Sequence, residues 1–178
     1  MFSFIFTLKT NIEMSQITEF LNQLEAEAIT TRKILSLVPT DKFEWKGHPK
    51  SMSLIKLATH IAEIPGWVGY AILMDELDVA NPKFANPKLT STEELLAFFE
   101  AKLNDGIAAL NGADESTFGE KWLLKYGDHT LYTWTKAETI RHSISQIIHH
   151  RAQLGVYLRL LDIPIPGSYG PSADEMGG

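Results

Sequence analysis

Three of the six histidines in this chain fall within RHSISQIIHHRAQL, Arg141 to Leu154, and there is no cysteine to share metal chemistry with them. Imidazole nitrogens can bind a divalent ion, exchange protons near neutral pH, or simply hydrate a helix face. Spacing decides which of these is open to each residue. An apolar stripe at helical period runs through Ile140, Ile144, Ile147, Leu154, Leu158 and Leu161. Measured from Ile147, Gln146 lies roughly 100° to one side and His150 roughly 60° to the same side, whereas His149 falls roughly 160° away. His150 is therefore the inward histidine, and His149 faces solvent or a subunit contact. His142 and His150 are separated by roughly 12 Å of helix axis, too far for one ion whose ligands sit about 2.0–2.2 Å from it. Gln146 and His150, one turn apart, can share an ion.

A second segment supplies a partner. His60 lies within the stripe Ser53, Leu57, Ile64, Trp67 and Ala71 and points inward. A lone inward histidine is ordinarily a core residue satisfied by a neighbouring carbonyl. Two inward polar positions on a facing helix, however, are how helical bundles build metal sites. On the residues alone both readings stand. Without cysteine, disulfides, thiolate zinc sites and a cysteine nucleophile are excluded, so a metal here is held by His, carboxylate or amide groups. Glu63, one turn beyond His60, can act as a further ligand or as a support. Arg151 falls in the apolar stripe, where a buried guanidinium must be paired; a salt bridge within the bundle and an anion site beside the metal are the two options. Trp67 and Tyr157 lie near the same level and can wall the site. His48 and His129 fall in loops and turns and are given no site role.

The elements that position these residues are helical. The spacing predicts helices over 15–37, 53–79, 91–110 and 136–161, with Ser15, Ser51 or Ser53, and Ser91 or Thr92 as caps. Pro65-Gly66 falls inside the second helix and should kink it at the Ile61 carbonyl. KWLLKYGDHTLYTW alternates around Tyr126–His129 and reads as a short hairpin before the last helix. VANPKFANPKLTS and the tail DIPIPGSYGPSADEMGG read as loops. Four long helices with modest connections make an all-α bundle. Met1–Glu13 reads as a disordered extension or a mis-assigned start, leaving 14–178 as a single domain.

Composition narrows the function classes. The chain has 178 residues, 44% hydrophobic and 21% charged, enough for one packed core. A net charge of −6, with no basic run, argues against nucleic acid and anionic membrane as partners. No apolar run approaches the ~18 residues of a membrane span. The expected compartment is the cytoplasm.

Two segments carry a resemblance to a known family. HHRAQLGVYLRLLDIPIPGSYGPSADE resembles the C-terminal signature of the DinB-like superfamily of bacterial damage-inducible proteins, and HPKSMSLIKLATHIAEIPGW resembles its first histidine segment. The likeness extends from about Ser15 to Glu175 and implies an up-and-down type four-helix bundle, commonly a homodimer. It also implies a divalent metal held by one His on the second helix and a pair one turn apart on the fourth. Carried over position by position, these ligands are His60, Gln146 and His150. Members of the family most often have His at the middle position, or an acidic residue; Gln146 departs from both. An amide oxygen is neutral and a weaker donor, so the ion would keep its full double charge, more Lewis-acidic but less tightly held.

The function that the resemblance implies is a metal-dependent transferase acting with a low-molecular-weight thiol, such as mycothiol or bacillithiol, in stress or detoxification. Zinc, nickel or manganese would fill the site and a small molecule would be the substrate. A metal-dependent hydrolase with Glu63 as base, and a non-catalytic metal- or small-molecule-binding stress protein, are the alternatives.

Overall fold

The computed structural model describes residues 15–177, so the Met1–Glu13 segment lies outside the described residues. Four helices form the bundle: α1 (Gln16–Leu35), α2 (Leu54–Leu73), α3 (Thr92–Asn111) and α4 (Lys136–Leu160). Each start except that of α2 is fixed by a side-chain cap. Ser15 accepts from the Thr18 amide and Ser91 from the Glu94 amide. Thr135 and Glu138 cap α4 reciprocally, satisfying two backbone amides that the helix leaves free. Ser53 occupies the cap position of α2 but makes no capping bond.

The helix α2 packs chiefly on α3 and α4, and α1 lies against the same two helices from the other side. The seam between α2 and α3 closes to backbone contact: a Cβ on Gly106 would stand 2.4 Å from the Pro65 carbonyl oxygen, so only glycine fits there. The helix continues through Pro65 to Leu73. Of the stripe expected on α4, Ile140, Ile144, Ile147, Leu154 and Leu158 are in the core beside Leu57, Ile61 and Ile64 of α2, while Leu161, just past the helix end, is partly buried. At about 1.5–3 kcal/mol for each such side chain, burial of this kind holds the two helices side by side.

The second helix is shorter than its expected end at Val79. Met74 turns to extended backbone (φ −134°, ψ 162°), and Glu76–Asp78 forms a strand, β1. The hairpin is present as β2 (Lys121–Tyr126) and β3 (His129–Thr135), turning at Gly127 with φ +57°. β1 adds in parallel to β2, so the sheet has three strands in the order β1-β2-β3. The physical reason is Leu77, which is 1% exposed in a second small core with Trp122 and Leu124. The Trp122 indole N–H donates to the Tyr70 carbonyl at 3.3 Å and ties the sheet to the end of α2.

Candidate metal centre

The packing of α2 against α4 brings His60 and His150 together, ring centroids 4.7 Å apart and planes 70° to each other. Each ring is oriented by a residue one turn further along its own helix. His60 Nδ1 lies 2.5 Å from Glu63 Oε1, and His150 Nδ1 lies 2.9 Å from Gln153 Oε1. With the proton on Nδ1 donated to these oxygens, the Nε2 lone pair of each ring is the one that remains. Among the described residues no hydrogen bond engages either Nε2. Burial, helped by the neighbouring His60 and His149, holds the His150 pKa below the usual imidazole value despite the Gln153 bond.

The other histidines separate from this pair. His149 is exposed, and its Nε2 accepts from the Gln153 amide at 3.1 Å. His142 packs on Trp134 of β3 with the rings tilted by 33° and their centroids 4.4 Å apart, and burial lowers its pKa. His48 is exposed and accepts the Lys50 amide, and His129 is exposed in β3. Gln146 is half-buried one turn before His150. Among the described residues no three His, Asp or Glu side chains converge as a ligand set. Gln153 is the residue that sequence reasoning missed. Its spacing from His149 and His150 was the available signal, because residues three and four apart meet on a helix.

Beside the pair opens a cleft of about 630 Å³, with His60, Glu63 and Trp67 among its walls. The Trp67 ring sits edge-on to His60 at 6.1 Å. Tyr157 is elsewhere: its ring meets Trp45 and its hydroxyl donates to the Met52 carbonyl. The far wall is the segment after β1, read from sequence only as a loop. Asp78 anchors it by accepting from the Ala80 and Gly127 amides at 2.9 and 2.8 Å, which also lowers the pKa of its carboxyl group.

Arg151, next to His150, is 3% exposed and fully engaged. Its Nη2 meets Glu27 Oε2 at 2.6 Å, and its Nη1 donates to the Glu27 carbonyl and the Thr31 hydroxyl. The Tyr169 hydroxyl of the tail donates to Glu27 Oε1 at 2.6 Å and accepts from Arg151 at 3.3 Å. Of the two options for this guanidinium, the structure shows the salt bridge.

A family model described as the DinB family matches residues 14–177. The chain belongs to the DinB family. Three solved structures are similar to this DinB-family chain. A DinB-like protein from Bacillus subtilis is 16% identical, covering 84% of this chain and 96% of its own, with a TM-score of 0.65. A DinB-like protein from Bacillus cereus is 18% identical over 88% of this chain and 100% of its own, with a TM-score of 0.67. A putative member of the family from Exiguobacterium sibiricum is 19% identical over 86% and 97%, also at 0.67. At such identities the likeness is one of fold. None of the curated proteins searched matches the chain. Among the described residues no helix is long and apolar enough to cross a membrane.

Proposed function

We propose that this DinB-family protein binds a divalent metal ion, zinc, nickel or manganese, through His60, Gln146 and His150. On this reading it is a cytoplasmic, metal-dependent transferase that acts with a low-molecular-weight thiol in stress or detoxification. One observation carries the reading: two imidazoles from different helices stand ring to ring with both Nδ1 atoms spent and both Nε2 atoms free. The donor set fits a borderline ion, with two imidazole nitrogens and an amide oxygen. Three protein ligands leave a coordination position open, and a metal there supplies a depressed pKa to a bound thiol.

The chain's own residues do the rest. Glu63 and Gln153 keep the ring protons on Nδ1, fixing tautomer and orientation. Trp67 screens His60 on the cleft side, and the cleft admits a small molecule. The commitment of Glu63 Oε1 to His60 favours a transferase over a hydrolase that would need Glu63 as its base. The absence of cysteine is consistent with sulfur arriving on a co-substrate. Val156 and Leu160, one turn apart on α4 and 60% and 59% exposed, offer an apolar face for a homodimer. The test of the metal is its content after stripping with chelator and reloading, compared with a His60→Ala variant. Stoichiometric metal in the parent alone supports the site, and equal content in both refutes it. Turnover of an electrophile that requires an added thiol distinguishes the transferase from the hydrolase, and loaded protein inert with both thiol and water would be a binding protein.

A further inference from the structure

We propose that the cleft beside His60 takes an anionic small molecule with a flat apolar body, its anionic group held between Lys83 and Lys102. The volume, about 630 Å³, is in the range of small-molecule sites. Its body is aromatic: Trp67 and Tyr70 of α2, Phe98 of α3, and Phe84 of the segment after β1. The Tyr70 and Phe84 rings meet edge-on at 5.3 Å, which joins the α2 wall to that segment. Such surfaces take a flat apolar group and give little to a flexible polar one.

The charge in the cleft is local and runs against the molecule. The chain carries −6 overall, yet two lysines line this cavity. Each lies near an aromatic ring, with Lys83, itself exposed, placing Nζ 5.9 Å from the Phe84 centroid and Lys102 Nζ 5.8 Å from the Phe98 centroid. Lys102 is steered further by α2. A Cβ on Gly66 would stand 2.8 Å from Lys102 Cδ, so the glycine lets the lysine stem lie across the helix. Asp105, 63% exposed, meets Lys102 Nζ only at 3.4 Å, a loose surface pair that leaves the ammonium available. The carboxylate on the cleft wall, Glu63, is engaged with His60. The ring contacts leave both cations without a carboxylate of their own on the cleft wall, and a ligand carboxylate or other anion gives them one.

The geometry also sets a length. Lys102 crosses α2 at Gly66, about 9 Å of helix axis beyond His60. A ligand that pairs with Lys102 and reaches His60 is therefore on the order of two fused rings long. That its His60 end is the reacting end rests on the metal reading above; the ligand class rests on the walls and the lysines.

The test is calorimetric titration of chelator-stripped protein with 2-naphthoate and with its neutral isostere, 2-naphthamide. We expect naphthoate to bind saturably and at least tenfold more tightly than the amide. In a Lys83→Met/Lys102→Met variant, which keeps the apolar stems, the preference should fall to near unity while the affinity for the amide is unchanged. Equal affinities in the parent, a preference that survives the double substitution, or no saturable binding of naphthoate would each overturn the proposal. The same titrations on His150→Ala should be unaltered. Protein that shows the lysine-dependent preference but takes up no metal keeps this inference and loses the metal reading; protein that takes up metal without the preference loses this inference alone.

Discussion

Arg151 and His150 are consecutive residues of α4, yet their polar groups meet opposite circumstances. The guanidinium is closed in: Glu27, Thr31 and Tyr169 take its donors, and Tyr169 also completes the Glu27 carboxylate. Around the histidine each group is half-used, with Nδ1 of both His60 and His150 bonded and Nε2 of both open. A cluster whose bonds all end within the protein can only hold the fold together. One that leaves the same donor atom free on two facing rings can take a further partner. The difference arises from one step of about 100° around the helix, which turns residue 151 toward α1 and residue 150 toward α2.

The two clusters should therefore fail in different ways. The largest effect is expected from Glu27→Ala, which strands a buried guanidinium. We expect a loss of about 3–5 kcal/mol in denaturant unfolding, with metal affinity of the folded protein unchanged. A loss within experimental error would mean that the Arg151 cluster is not the closed one. Next comes Gln146→His, which replaces a weak amide oxygen by imidazole. Metal binding should strengthen by about 1–3 kcal/mol, with unfolding stability little altered; equal metal affinity would place residue 146 away from the ion.

Tyr169→Phe removes one hydroxyl from the closed cluster and should cost about 1 kcal/mol of stability, read by the same denaturation, again without effect on metal. The smallest expected effect concerns the tail that carries Tyr169. Asp174 accepts two bonds from Arg159 and one from the Ile165 amide, and these hold its pKa down to about 2 from an ordinary 3.8. A depressed folded pKa contributes stability that is complete above the unfolded value and lost as pH falls through the folded one. Tail docking should thus persist at pH 4 and weaken toward pH 2. The Ile165 amide resonance should titrate with a midpoint near 2, and a midpoint near 3.8 would detach Asp174 from this role.

The bundle was legible because its helices announce themselves by period. The α4 stripe from Ile140 to Leu158 is buried where its spacing put it, and the turn at Gly127 carries the positive φ that a Gly-Asp hairpin needs. The end of α2 was not legible. Nothing between Met74 and Val79 breaks a helix, and only the distant Trp122 makes Leu77 worth more in a strand. The inward face of His60 and His150 could be read from angles alone, as could the outward face of His149. Their meeting could not, since it depends on how α2 and α4 are placed. Glu63 was visible at helical spacing from His60, whereas the aromatic cleft draws Phe84 and Lys83 from a segment whose Asn-Pro pairs read only as a loop without helical or strand period.

The central claim is that the open pair is a metal site, and it is tested most directly by calorimetric titration of zinc, nickel and manganese into chelator-stripped parent, His150→Ala and His149→Ala proteins. The account predicts saturable binding near one ion per chain in the parent, none in His150→Ala because two ligands seldom retain a labile divalent ion, and an unchanged isotherm in His149→Ala. The same isotherm in all three proteins, or no binding in any, would contradict it.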